Sequence, residues 1–266
     1  MQAVRVNGHV YHVRKDGPWD QGGAGPVVVF SNSLGTDLRV WDPLLPLLPA
    51  GWRFLRYDTA GHGLSDDPGP IPIARHADDL AALLDASGVE RSALVGLSVG
   101  GLIGEALAKA RPGLVSALVL CSTAARIGTD KIWNDRIAAV REAGLKAIAD
   151  SVMQRWFSKA FMTGRPDELA LWRAMLVRTS ADAYCALCAA IRDADLTASA
   201  PDIAVPTLCI VGTEDGATPP ALVRETAGLI PGARFEEIAG VGHLPCVEAP
   251  EILARLLNGF FEEVNP

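Results

Sequence analysis

Ser98, Asp215 and His243 are the residues whose types and order could carry covalent chemistry in this chain. A serine hydroxyl is a poor nucleophile at neutral pH. It needs a base within hydrogen-bond reach, and that base needs an orienting group. Ser98 stands in Gly96-Leu97-Ser98-Val99-Gly100, between a run that reads as a strand (92–95) and one that reads as a helix. In that setting Gly-x-Ser-x-Gly forces a turn so tight that the hydroxyl stands exposed at the edge of a sheet. The glycines leave room where a Cβ would collide with the neighbouring strand and helix. Asp215, in Gly212-Thr213-Glu214-Asp215, and His243, in Gly240-Val241-Gly242-His243-Leu244-Pro245, each follow a predicted strand. All three are therefore expected at one sheet edge, and the chemistry they imply is acyl transfer. Simpler roles fit each residue singly. The pentapeptide also suits a glycine-rich turn capped by serine, and Asp215 could cap a helix beginning near Pro219, with Glu214 as a rival carboxylate. His243 could be a solvated loop histidine. His9 and His12 fall in an N-terminal hairpin, His76 in an early helix and His62 in a loop (58–66), and these fit the base role less well.

Acyl transfer also needs donors for an oxyanion. One is expected at the backbone N–H of Val99, directly after the nucleophile and at a helix N-terminus, where the helix dipole favours negative charge. The other is expected from Ser31-Asn32-Ser33-Leu34-Gly35-Thr36, the loop after an apolar strand (26–30). Leu34 is the candidate for that second N–H, and Gly35 lets the backbone approach closely.

The elements that must position these groups alternate between strand and helix. Asn7-Gly8 between two β-rich runs is a strong hairpin signal. Residues 26–30, 53–57, 92–95, 117–121, 206–211 and 234–238 read as strands, several of them apolar throughout, as in a sheet buried on both faces. Helical periodicity covers 73–86, 99–110, 219–229 and 251–264. Such alternation implies a parallel sheet flanked by helices. Between about 122 and 195 the buried-strand runs stop and the chain reads as helical, with Trp133, Trp156 and Trp172 inside it. The expected organisation is a core of residues 1–122 and 196–266, with a helical cap of residues 123–195 inserted after the sixth strand. Ligands bind beyond the carboxyl ends of the strands in such sheets, where a cap would cover them.

Composition narrows the function classes. With 266 residues, 49% apolar and 21% charged, the chain reads as globular. A net charge of −7 without a basic run argues against nucleic acid as a partner. No apolar run is long enough for a membrane span, and no signal-peptide core is visible at the N-terminus. Five cysteines without framework spacing suit a reducing compartment, so a cytoplasmic location is expected. Cys185-x-x-Cys188 reads as two packed thiols on one helix face rather than a redox or metal pair.

Taken together, the order Ser98…Asp215…His243, the 31–36 loop and the helical insertion resemble the α/β-hydrolase superfamily over nearly the whole chain. Within it, three stretches resemble the 3-oxoadipate enol-lactonases. They are Ser31-Asn32-Ser33-Leu34-Gly35-Thr36-Asp37 through Trp41-Asp42, Thr123-Ala124-Ala125-Arg126-Ile127-Gly128 with Trp133, and Gly212-Thr213-Glu214-Asp215 with Ala217-Thr218-Pro219-Pro220. Two departures stand out. Most relatives carry His-Gly at Asn32-Ser33, and many carry arginine at Ala60 in the loop Asp58-Thr59-Ala60-Gly61-His62-Gly63.

The resemblance implies hydrolysis of a small anionic lactone with no cofactor or metal, the protein being a monomer or homo-oligomer. An anionic substrate calls for a cation in the pocket. Arg39 and Arg126 are the candidates, each also fitting a plain surface arginine, and Trp133 is the cap residue expected to touch the ligand, its N–H donating while its ring packs, with a purely structural place in the cap core as the alternative. A general carboxylesterase or carbon–carbon-bond hydrolase is the alternative within enzymes. A ligand receptor on a hydrolase scaffold is the alternative outside them.

Overall fold

The computed structural model describes residues 1–19 and 25–266. Its opening feature follows from two residues. Asn7 and Gly8 both take positive φ, 50° and 91°, as a tight two-residue hairpin requires, and β1 (Gln2–Val6) folds back on β2 (His9–Asp16). The remaining strands are β3 (Val27–Ser31), β4 (Arg53–Tyr57), β5 (Ser92–Leu97), β6 (Val115–Cys121), β7 (Thr207–Gly212) and β8 (Arg234–Ile238). They form one 8-stranded sheet in the order β1-β2-β4-β3-β5-β6-β7-β8. β1–β2 and β2–β4 pair antiparallel, and every other pairing is parallel. Each residue of β3, β5, β6 and β7 is buried, as the uniformly apolar runs of a two-sided parallel sheet require.

β3 lies between β4 and β5, so the chain runs outward to β4 and then returns to the other side of β3. That reversal sets the loop after β3 beside the turn after β5. Loops at such a switch point leave adjacent strands in opposite directions and open a crevice between them.

Helices flank the sheet. α1 (Ile73–Ala86) and α2 (Val99–Ala110) pack against each other, while α8 (Pro220–Leu229), the short α9 (Pro245–Glu248) and α10 (Pro250–Val264) belong to the C-terminal part. Between β6 and β7 come five helices: α3 (Asp130–Ala143), α4 (Leu145–Trp156), α5 (Lys159–Gly164), α6 (Pro166–Val177) and α7 (Ala181–Asp193). Residues 122–129, read from the sequence as the start of the helical stretch, form an irregular connection instead. Thr129 caps α3 by accepting the Ile132 N–H. Cys185 and Cys188 of α7 are both buried free thiols, and burial raises both, Cys188 to about 12. Among the described residues no single helix is long and apolar enough to cross a membrane.

One residue of α2 sits uneasily in this core. Glu105 is 2% exposed, and both its carboxyl oxygens lack a hydrogen-bond partner among the described residues. Burial raises its pKa to about 8. Between the ordinary carboxylate range and about pH 8, the folded chain therefore holds a proton that the unfolded chain releases, and stability falls as pH rises. Glu105→Gln should flatten that slope. Thermal melts across pH 5 to 9 check this: the variant's Tm should exceed the parent's most at the alkaline end.

Candidate active site

Ser98 stands between β5 and α2 with φ 55° and ψ −118°, a conformation that costs a non-glycine residue on the order of 1–3 kcal/mol. Its backbone is pinned there. Ser98 N–H donates to the Cys121 carbonyl (2.9 Å), and its own carbonyl accepts from Gly101 N–H (2.8 Å) and Thr123 Oγ1 (2.7 Å). The flanking glycines are steric necessities. A Cβ on Gly96 would run into the Gly100 backbone, and one on Gly100 into the carbonyls of Ser31 and Asn32. The turn is thus packed backbone to backbone against the loop after β3.

That loop is braced from both sides. Asn32 donates through Nδ2 to the Tyr57 carbonyl (2.6 Å) and accepts the Trp41 indole N–H at Oδ1 (2.8 Å). Gly35, at φ 78°, closes a turn in which the Ser33 carbonyl accepts from Thr36 N–H and Oγ1. The N–H groups of Leu34 and Val99 donate to no protein acceptor among the described residues. Val99 is the first residue of α2, so the positive end of that helix adds to its N–H.

Asp215 and His243 arrive on the loops after β7 and β8. His243 Nδ1 lies 3.0 and 2.9 Å from the two carboxylate oxygens of Asp215, with both side chains almost fully buried. Asp215 also accepts from Ala217 N–H (2.8 Å), Thr218 N–H (2.8 Å) and Thr218 Oγ1 (2.9 Å). Burial alone would raise its pKa. The imidazole and these hydrogen bonds outweigh burial and hold the carboxyl below its usual range. Glu214, the rival carboxylate, instead accepts the Lys159 N–H (3.3 Å).

Ser98 and His243 face one cavity of about 390 Å³. Leu34 and Trp133 also line it. Arg39 and Arg126 do not, which corrects the sequence-based expectation. Arg39 is held on Asp37 (2.9 and 2.6 Å), and Arg126 is an exposed side chain paired with Asp195 (3.2 Å). The Trp133 indole N–H is already committed to the Ile127 carbonyl (2.6 Å), so only the ring is offered to a ligand. Ala60 is buried and lies outside the lining.

The cations at this cavity are Arg136 and Arg155, one from α3 and one from α4. The Arg136 guanidinium lies 4.8 Å from the centre of the Trp133 ring. Among the described residues neither arginine has a carboxylate partner. Burial and then the charge of Arg136 lower the pKa of Arg155. A usable signal was present in the sequence: Arg136 follows Trp133 by three positions, so the two share a helix face.

The helical insertion between β6 and β7 is stitched to both loops that carry Asp215 and His243. A helix leaves its last carbonyls unpaired. At the end of α4, the Arg155 carbonyl accepts from Gly216 N–H (3.2 Å) and the Trp156 carbonyl from His243 N–H (2.7 Å). Glu248 completes the seam by accepting from Ser158 N–H (3.2 Å), Ser158 Oγ and Gly242 N–H (3.1 Å).

Residues 26–250 match the family described as the alpha/beta hydrolase fold. The chain belongs to the α/β-hydrolase family. It is a hydrolase of that family by its relatives as well as its fold. It is 32% identical to 3-oxoadipate enol-lactonase 2 of Acinetobacter baylyi over 90% of each chain. It superimposes on the crystal structure of the enol-lactonase from Burkholderia xenovorans LB400 with a TM-score of 0.94, at 40% identity over 98% of this chain and 100% of that one. A thermophilic esterase from Thermogutta terrifontis, in a malate-bound structure, gives a TM-score of 0.90 at 26% identity over the full length of both.

Through this seam Glu248 holds the loop that carries His243, at a remove from the cavity. Glu248→Ala should lower kcat on an activated ester roughly ten- to a hundredfold with little change in KM, because small displacements of reacting groups are costly. Glu248→Gln keeps an acceptor oxygen and should restore most of the loss. Steady-state kinetics of the two variants check this.

Proposed function

We propose that this hydrolase opens a small lactone bearing a carboxylate arm, 3-oxoadipate enol-lactone, by a serine acyl-enzyme route. The observation that carries the substrate class is the pair Arg136 and Arg155. Two cations without carboxylate partners line the cavity onto which Ser98 and His243 face. Like charges held together without a counter-ion destabilise one another, and an anionic substrate relieves the conflict. Guanidinium groups suit a carboxylate because their paired N–H donors match its geometry. The similarity to enol-lactonases supports the same reading.

In this mechanism His243 takes the Ser98 proton as Oγ attacks the ring carbonyl. The N–H groups of Leu34 and Val99 receive the oxyanion. Collapse breaks the ring C–O bond. The departing oxygen takes the proton from His243 and leaves as an enol, which tautomerises to the ketone, so it needs less proton assistance than an alcohol. The opened chain remains esterified to Ser98. His243 then activates one water, which adds to the carbonyl and releases 3-oxoadipate. Asp215 fixes the imidazole tautomer and stabilises its charged form.

Ser98→Ala should abolish turnover without unfolding the chain, and Asp215→Asn should lower kcat on the order of 10,000-fold. The substrate class is tested separately. Arg136→Gln and Arg155→Gln should each raise KM for the enol-lactone about tenfold or more, while leaving a neutral aryl ester unaffected. Equal losses on both substrates would favour a general carboxylesterase.

A further inference from the structure

The loop that offers Ser33 and Leu34 to the catalytic cavity continues, at residues 36–39, along a second cavity of about 530 Å³. The two cavities share no lining residue. The second is walled by His12 and Arg14 of β2, by Asp58 and Leu64 beyond β4, and by Met175 and Arg178 near the end of α6. We propose that this second cavity binds a small organic carboxylate with a compact apolar body, independently of the catalytic cavity.

Charge is the first support. Arg14, Arg39 and Arg178 converge here on a chain whose net charge is −7. The two carboxylates in the lining are already engaged. Asp37 holds Arg39 at 2.9 and 2.6 Å. Asp58, 1% exposed, accepts from Leu38 N–H (2.8 Å), from Leu64 N–H (2.9 Å) and at His12 Nδ1 (2.7 Å). Arg178 makes no ion pair or side-chain hydrogen bond among the described residues, and Arg14 has a single carboxylate contact, to Asp16 at 2.9 Å. Cationic donors therefore remain after the internal pairing is complete. His12 Nε2 is also without a protein partner among the described residues, and the buried Asp58 fixes the orientation of the ring.

Shape and polarity give the second support. Leu38, Leu64 and Met175 supply an apolar wall, and Leu64, at 63% exposed, is open to a ligand. Apolar surface beside a few convergent charged donors is the usual make-up of a small-molecule site. The site is also stiff where it meets the core. The Leu38 N–H is held by Asp58 and its carbonyl by the buried Arg56 (2.9 Å), which itself pairs with Asp16 (2.8 Å) and Asp42 (2.6 Å). A preformed wall lowers the ordering cost of binding.

Isothermal titration with benzoate tests the proposal on the full chain. Arg136→Gln/Arg155→Gln serves as the background, because it removes the cations of the catalytic cavity. One saturable site is expected in that background. Adding Arg14→Gln/Arg178→Gln should weaken it at least about tenfold, since each guanidinium–carboxylate contact is charge-assisted. Leu64→Asp, which puts a negative charge on the apolar wall, should abolish it, and benzamide should not bind. These positions are exposed, and matching thermal melts confirm an intact fold. Absence of saturable binding in the background, or binding indifferent to Arg14 and Arg178, would overturn the proposal.

Discussion

Ser98 is held at φ 55° by hydrogen bonds from three directions, and that one strained residue dictates much of what surrounds it. Its carbonyl and N–H are tied to β6 and to the connection after it, so the hydroxyl is left at the carboxyl edge of the sheet. The close approach that makes the turn possible also brings α2 against the backbone of the β3 loop. One steric requirement therefore places three things together: the hydroxyl, the first N–H of a helix, and the loop that carries Leu34. Strand order does the rest, because β3 and β5 are neighbours only through the reversal at β4.

The hydrogen-bonded pair His243 and Asp215 depends on a different kind of bond. His243 and Asp215 lie on loops with little regular structure of their own. The Asp215 carboxylate organises its own loop through Ala217 and Thr218, and the end of α4 supplies carbonyl acceptors to both loops. A helix terminus with unsatisfied carbonyls and two loops with unsatisfied amides solve each other's problem. The cavity's polarity follows from the same packing, since Arg155 and Trp156 are consecutive residues at that helix end.

Much of the fold was legible because its signals are local. Asn7-Gly8 can hardly be anything but a tight turn, the apolar runs of β3 and β5–β7 exclude an exposed strand, and Gly96 and Gly100 have a steric reason to be glycine. The strand endings that put Ser98, Asp215 and His243 at one edge were readable for the same reason. The charge that lines the cavity was much less so. Arg39 and Arg126 sit near the relevant motifs in sequence, yet each found a carboxylate within reach, Asp37 in one case and Asp195 in the other. Arg155 looks like an ordinary surface arginine on an amphipathic helix, and Arg136 is marked only by its three-residue spacing from Trp133. Only the packing of α3 and α4 over the sheet turns them toward the cavity. The indole N–H of Trp133 was misjudged similarly, because its acceptor is a loop carbonyl that no periodicity reveals.

The seam at the end of α4 also bears on how such an enzyme could be altered. Residues 155–158 belong to two modules at once: they help shape the pocket, and they hold the histidine loop in place. A helical insertion exchanged whole between relatives would carry its own version of this strip and shift Asp215 and His243 with it. The part that can vary freely is smaller than the helical insertion. It comprises the surfaces of α3 and α7 that face the cavity and touch neither the Asp215 nor the His243 loop, so the pocket is most accessible to remodelling there while the α4 terminus is kept.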